Sequence, residues 1–310
     1  MSRITEDTPA LNDAHKAEVL ANALKREAVR LLAQKLAPGL FVVATPIGNL
    51  GDITVRALTT LAMADIVYCE DTRHSARLLQ HYGLHPVTRP LHDHNEEIEL
   101  KRVLQELSRG KSIALISDAG TPLISDPGFK LVRACVEAGH AATALPGPSA
   151  VMSALSVSGL PTDAFFFAGF LAPRQAARRA RILELKIIPA TLIFFEAPQR
   201  AAETLADLAD VLGDRPVVMA REITKLHEEL ARGTLTALAR QVGERDIKGE
   251  IVLVVAPPGQ RTAGDDEIIA RLEVALSSMR MKDAAAAVAD ALGVSKSRVY
   301  DLGLKLKDKG

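Results

Sequence analysis

Three segments rich in glycine, proline and small polar residues each follow directly on a short apolar run, and they constrain the fold more than any other feature. Residues 40–44 run into Thr45-Pro46-Ile47-Gly48-Asn49-Leu50-Gly51-Asp52. Residues 112–116 run into Ser117-Asp118-Ala119-Gly120-Thr121-Pro122-Leu123-Ile124-Ser125-Asp126-Pro127-Gly128. Residues 142–145 run into Pro146-Gly147-Pro148-Ser149-Ala150. The apolar runs have strand length, and further strands are expected at 66–69 and 87–91. Helical patterns at 54–62, 72–81, 96–109 and 127–138 separate them. Strands alternating with helices imply a mostly parallel sheet covered on both faces, with ligands bound at the carboxyl ends of its strands. Glycine lets backbone groups approach a ligand, and proline stiffens the loop around it. Three such loops on one sheet edge describe a pocket for an elongated polar small molecule. The Gly-Lys-Ser/Thr phosphate loop is absent, Gly48 and Gly51 lack the third glycine of a dinucleotide fingerprint, and few cations sit in these loops. The ligand they suit is held by backbone amides and carbonyls and carries no polyphosphate.

The second half changes character. Apolar strands are expected at 165–167, 190–195, 217–220 and 250–256, with helices near 175–185, 200–212 and 235–242. Hairpin-sized spacings there suggest a mixed sheet, so a domain boundary is placed near 152–160. Pro257-Pro258-Gly259 closes this domain and opens a linker. Residues 283–292 and 296–304 flank Gly293-Val294-Ser295 with the spacing of a helix-turn-helix. The resulting division is an extension over 1–37 containing one amphipathic helix, an α/β domain over 38–155, a second α/β domain over 156–258 and a small helical domain over 259–310.

Composition excludes several classes. The 310 residues contain 38 Lys plus Arg and 38 Asp plus Glu, so nucleic acid or membrane cannot be held by bulk charge and any such contact is a local patch. Cys69 and Cys135 are too few for a disulfide scaffold and read as small core residues. The longest apolar run, residues 164–172, has nine residues, far short of the roughly 18 that a membrane span needs. With five acidic residues in its first forty and no unbroken apolar stretch there, the chain is read as carrying no secretion or transit signal and as cytoplasmic.

The loops above, together with Glu70-Asp71-Thr72-Arg73, His92-Asp93-His94-Asn95-Glu96, Glu196-Ala197-Pro198-Gln199-Arg200, the segment Arg221-Glu222-Ile223-Thr224-Lys225-Leu226-His227-Glu228-Glu229 and Lys248-Gly249-Glu250-Ile251, stand in one order. That order closely resembles the ribosomal small-subunit methyltransferase I family, a branch of the tetrapyrrole methylase superfamily, from about residue 38 to 257. The tail resembles the helix-turn-helix appended in some members. The resemblance implies a two-domain tetrapyrrole-methylase-like α/β fold, usually a homodimer, holding S-adenosyl-L-methionine between its domains. It also implies 2′-O-methylation of a cytidine in the decoding region of 16S rRNA, in the small ribosomal subunit. Carried over, Pro46, Ile47 and Gly48 form the first cofactor loop, Gly120, Thr121 and Ile124 the second, and Ser149 and Ala150 the third. Phe195, Ala220, Glu250 and Ile251 close over adenine and ribose. Gly120-Thr121-Pro122 stands where the tetrapyrrole enzymes carry Gly-Asp-Pro, which counts against a tetrapyrrole substrate.

Methyl transfer from a sulfonium to a ribose hydroxyl needs in-line positioning and a group to take the hydroxyl proton; it requires no metal. The candidates for that group are Asp71, His94, Asp118 and Glu196, with helix capping as the competing role for Asp71 and Asp118. Candidate RNA contacts are Arg73, Arg174, Arg178, Arg179, Arg181, Arg200, Lys296 and Arg298. For Arg73 and Arg200, pairing with Glu70 and Glu196 is the competing reading. From residue 280 onward seven Lys or Arg stand against four Asp. Two other readings remain open: a superfamily enzyme methylating a tetrapyrrole carbon or a diphthine-type protein side chain, and a non-catalytic RNA-binding module.

Overall fold

Each of the first five strands ends where a loop begins and is followed by a helix, and the computed structural model, which describes residues 13–92, 95–259, 265–292 and 294–307, shows how they assemble. After helix α1 (Asp13–Leu32) the order is β1 (Gly39–Val43), α2 (Val55–Met63), β2 (Ile66–Cys69), α3 (Thr72–His81), β3 (Thr88–Pro90), α4 (Glu96–Ser108), β4 (Ser112–Leu115), α5 (Phe129–Glu137) and β5 (Ala142–Leu145). The strands form a parallel sheet in the order β3-β2-β4-β1-β5. Leu40 in β1 pairs with Ile113 in β4 and with Ala142 in β5, so β1 and β4 lie inside the sheet and their carboxyl ends point the same way. Every residue of β2 and β4 is buried, as expected of strands covered on both faces. One face packs Val43, Val67 and Ala114 against Leu61 and Leu79; the other packs Leu40, Tyr68 and Ile113 against Val103 and Leu131. Cys69 and Cys135 are both buried and unbridged.

The second unit contains α6 (Ala150–Ser158), β6 (Phe165–Phe170), α7 (Gln175–Leu185), β7 (Thr191–Glu196), α8 (Ala201–Leu212), β8 (Pro216–Arg221), β9 (Glu229–Thr234), α9 (Leu235–Gly243) and β10 (Ile251–Val255). Its sheet has the order β6-β7-β10-β8-β9, with β6 parallel to β7 and the other pairs antiparallel. The mixed sheet expected from the spacing is present. The boundary near 152–160, however, falls inside α6. The Ser149 hydroxyl caps this helix by accepting from the Met152 amide. Val151, Ala154 and Leu155 pack on Ile193, Val218 and Val252, so α6 covers a face of the second sheet. Neither α6 nor β9 is among the expected elements.

The tail adds a third helix to the expected pair: α10 (Asp265–Leu276), α11 (Met281–Leu292) and α12 (Lys296–Lys307). They share a small core of Ile268, Leu272, Ala284, Ala285, Val288, Val299 and Leu302. A Cβ at Gly303 would lie 2.6 Å from the Met281 sulfur, which is why a glycine sits mid-helix there. Helix α1 packs on α2 and has no buried residue. No helix among the described residues is long and apolar enough to cross a membrane.

Candidate active site

The loops after β1, β4 and β5 are tied into one wall by their own backbones. Thr45 and Gly120 exchange amide-to-carbonyl hydrogen bonds of 2.9 and 3.0 Å, and the Thr45 hydroxyl donates to the Ser117 carbonyl at 3.1 Å. The Thr121 hydroxyl donates to the Pro148 carbonyl at 3.0 Å, joining the second loop to the third. Glycine is required at the joint: Gly120 has φ +80°, and a Cβ on it would lie 3.1 Å from Cγ2 of Ile47. Two L-residues of the same loop, Leu123 and Ser125, also sit at positive φ (73° and 69°). Such strain persists only where surrounding structure imposes it, and it concentrates at ligand sites.

This wall faces the second unit across a cavity of about 400 Å³. Ile47, Gly120, Thr121, Ile124, Ser149 and Ala150 line it from one side, and Phe195, Glu250 and Ile251 from the other. Nine residues expected at the cofactor are thus brought together from segments some two hundred positions apart. Pro46 and Gly48 face an adjoining cavity of about 270 Å³, which Thr45, His74, Arg77, Ser117 and Asp118 also line. Ala220 is buried in β8 directly opposite Val252, which lines the cavity, and is itself absent from the lining. Phe195 is fixed by edge contacts with Phe167 and Phe170 at centroid distances of 4.9 and 5.5 Å. The segment between β8 and β9 straps the two units together. Lys225 bonds Glu222 at 2.8 Å and Glu250 at 3.1 Å, and a Cβ on Gly48 would come within 2.3 Å of the Lys225 Cγ.

The carboxylates differ sharply in availability. Glu196 was expected to face the cleft as a base, but its buried carboxylate is fully engaged. It accepts from Arg200 Nη2 at 3.0 Å, the Thr204 hydroxyl at 2.6 Å and the Ala197 amide at 2.8 Å. The same contacts remove Arg200 from the RNA candidates, because its guanidinium also donates to the Leu171 carbonyl at 2.7 Å. Asp71 is the N-cap of α3, accepting from the Arg73 amide at 2.8 Å, and the Arg73 guanidinium holds its carboxyl down at about 2. Asp118 accepts from the Asp71 amide at 3.2 Å and lines the adjoining cavity. His94 lies outside the described residues. Asp126, which the sequence reading passed over, lines the main cavity half-buried. Burial and the nearby carboxylates of Glu70 and Asp118 push its pKa up to about 6, against a hydrogen bond from Ser117. It lies within a quoted loop, but its surroundings come from strands far apart in the chain.

Among the RNA candidates, Arg178 is corrected outright. It is 1% exposed and donates through Nε to Asp207 at 2.7 Å, locking α7 to α8. Arg179 is half-exposed but bonds Asp207 and Asp210, both at 2.9 Å. Arg174, Arg181 and Lys296 are exposed, Arg181 pairing with Glu184 on its own helix. Arg73 is exposed beside Asp71, and Arg298 bonds Asp265 at 2.7 Å between α12 and α10.

A parallel-sheet unit and a mixed-sheet unit, closing on a cavity built from glycine-rich strand-end loops, define a two-domain α/β methylase. Residues 39–239 match the Tetrapyrrole (Corrin/Porphyrin) Methylases, and residues 262–307 match the RsmI C-terminal HTH domain. The chain belongs to the tetrapyrrole methylase family, in the branch whose curated members are named ribosomal RNA small subunit methyltransferase I. It is 47% identical to the Vibrio cholerae protein of that name over 276 residues, covering 87% of this chain and 95% of that one. It is 48% identical to the Mesorhizobium japonicum protein over 279 residues, covering 89% and 95%. Among solved structures it resembles the methyltransferase CobJ (TM-score 0.54, 17% identity, covering 73% of this chain and 97% of that one). Uroporphyrin-III C-methyltransferase from Thermus thermophilus, solved with S-adenyl homocysteine, is similar at TM-score 0.51 and 16% identity, covering 70% and 97%. These likenesses show the fold. The cofactor of the chain is S-adenosyl-L-methionine, and the cavity suits it: large enough for a drug-sized molecule, walled largely by apolar side chains, and without a cluster of phosphate-binding cations.

Proposed function

We propose that this protein methylates the ribose 2′-oxygen of a cytidine in the decoding region of 16S rRNA, acting on the small ribosomal subunit in the cytoplasm as a homodimer. The observation that carries the reading is the near end-to-end agreement with relatives named as small-subunit rRNA methyltransferases, which spans the cavity loops and the helical tail together. When bound, S-adenosyl-L-methionine supplies an activated methyl group whose sulfur leaves neutral and needs no acid.

The chain's own residues do the rest. The loops at 45–48, 119–121 and 149–150 hold the cofactor, and Phe195, Glu250 and Ile251 close over it from the second unit. The clamped wall fixes its orientation, and positioning of this kind contributes at most about 7–11 kcal/mol to lowering a barrier. The adjoining cavity, lined by His74 and Arg77, is the place for the acceptor nucleotide, and Arg73, Arg174, Arg181 and Lys296 are the exposed cations available to phosphate. The test is transfer of radiolabelled methyl to small subunits from cells lacking the protein, followed by nuclease mapping. Label at one alkali-resistant cytidine linkage supports the reading. Cofactor binding without label on subunits, free rRNA or assembly intermediates overturns it in favour of a small-molecule acceptor.

A further inference from the structure

Three acidic residues line the main cavity, and two are already committed. The Glu196 carboxylate is enclosed by Arg200, Thr204 and the Ala197 amide. Glu250 is 76% exposed and bonded to Lys225. Asp126 remains: no Lys or Arg among the described residues forms an ion pair with it. The backbone around it is conformationally constrained. Ser125 before it is held at φ 69° with its hydroxyl 3.6 Å from where a Cβ on Gly169, in the β6 bulge, would stand; Pro127 and the left-handed Gly128 follow.

The loop that carries it serves both cavities: Asp126 lines the cofactor cavity, while Ser117 and Asp118 of the same loop line the adjoining one. A carboxylate on the loop shared by the donor and acceptor pockets is placed to receive a hydroxyl proton.

We propose that Asp126 is the proton acceptor of the reaction, taking the hydrogen of the ribose 2′-hydroxyl. As the 2′-oxygen bonds to the methyl carbon, the carbon–sulfur bond breaks with its electron pair left on sulfur, the hydroxyl proton passes to the Asp126 carboxylate, and water later removes it. The inference rests on the ribose-methylation reading above. A carboxylate that titrates near 6 is ionised at neutral pH yet basic enough to share the proton, the compromise a general base requires. Burial raises that value most, Glu70 and Asp118 add to it, and Ser117 opposes them.

The experiment compares wild type, Asp126→Asn and Glu70→Gln in single-turnover transfer to small subunits across pH 5–8. It includes calorimetry with S-adenosyl-L-methionine and S-adenosyl homocysteine, and carboxyl-carbon NMR of the cofactor-free protein. Expected are a wild-type rate that rises through about pH 6 and a carboxyl resonance titrating there that Asp126→Asn removes. Asp126→Asn should lose about 10²- to 10⁴-fold in rate together with that pH limb, with both cofactor affinities near wild type. Glu70→Gln should move the limb to lower pH, because a neighbouring negative charge is gone. An Asp126→Asn protein that keeps the wild-type rate and limb overturns the proposal. So does one that loses affinity for the sulfonium alone, since Asp126 would then be a counter-charge. If wild type transfers no methyl to subunits, the ribose-methylation reading has failed and this inference falls with it.

Discussion

Thr45 and Gly120, seventy-five positions apart in the chain, form a two-bond antiparallel bridge at the carboxyl edge of the parallel sheet. The bridge holds the β1 and β4 loops at a fixed separation, so one face of the pair lines the main cavity and the other face lines its neighbour. The left-handed conformation of Gly120 makes this possible.

Gly120→Ala therefore tests the wall. A Cβ there adds about 1–2 kcal/mol of left-handed strain and presses on Ile47. We expect a loss of comparable size in denaturant unfolding and at least tenfold weaker binding of S-adenosyl homocysteine by calorimetry. Unchanged affinity would mean that the joint does not shape the cavity.

Arg178→Ala separates packing from RNA contact. Removing Arg178 empties a buried guanidinium site and leaves Asp207 to Arg179 and Gln175 alone, a destabilisation that stays below the roughly 3–5 kcal/mol of a fully unpaired buried charge. The paired replacement Arg178→Met with Asp207→Leu should recover most of that loss. Urea unfolding of the three proteins measures both, and a stable Arg178→Ala protein would contradict the buried assignment.

Charge reversal at the exposed neighbours has the opposite signature. Arg174→Glu together with Arg181→Glu should leave unfolding free energy within about 0.5 kcal/mol of wild type. The same protein should weaken subunit binding and flatten its salt dependence by about one phosphate contact per residue. Filter binding across a salt series reads the slope; an unaltered slope removes this face from the RNA path.

The Asp126 carboxyl predicts a stability effect without any ligand. Its folded value of about 6 lies above the unfolded value of about 3.9. The folded state thus holds more protons between those limits, and stability falls as pH rises through that window. Above it the ionised carboxylate opposes folding by about 1 kcal/mol after allowance for its partial exposure. Asp126→Asn should raise the melting temperature at pH 8 and leave it nearly unchanged at pH 4. A lower melting temperature at pH 8 would show that the carboxylate is stabilising.

Where local pattern and tertiary context agree, the elements were legible to the residue. The strands Ile66–Cys69 and Ala142–Leu145 and the helices Thr72–His81 and Gln175–Leu185 lie where apolar period and capping place them. The two missed elements have tertiary causes. Strand β9, with its sequence Glu-Leu-Ala-Arg-Gly-Thr, is an edge strand held by pairing with β8, and α6 shows its apolar face only once the second sheet is there to cover.

The site divides the same way. Loop residues such as Ile47, Gly120 and Ser149 could be read from sequence because glycine, proline and caps act within a few positions of themselves. The side-chain chemistry could not. Arg178 and Arg181 stand three positions apart on one helix; one is sealed against Asp207 of α8, while the other is exposed to solvent beside Glu184. Glu196 and Asp126 are both carboxylates after a strand, yet Arg200 and Thr204 enclose the first, and burial near Glu70 and Asp118 raises the second. The sequence by itself determined the alternation of strands and helices, the cavity loops and the family. The charge state and availability of each acidic and basic group were decided only by the tertiary structure, because they depend on burial and on neighbours brought from distant parts of the chain.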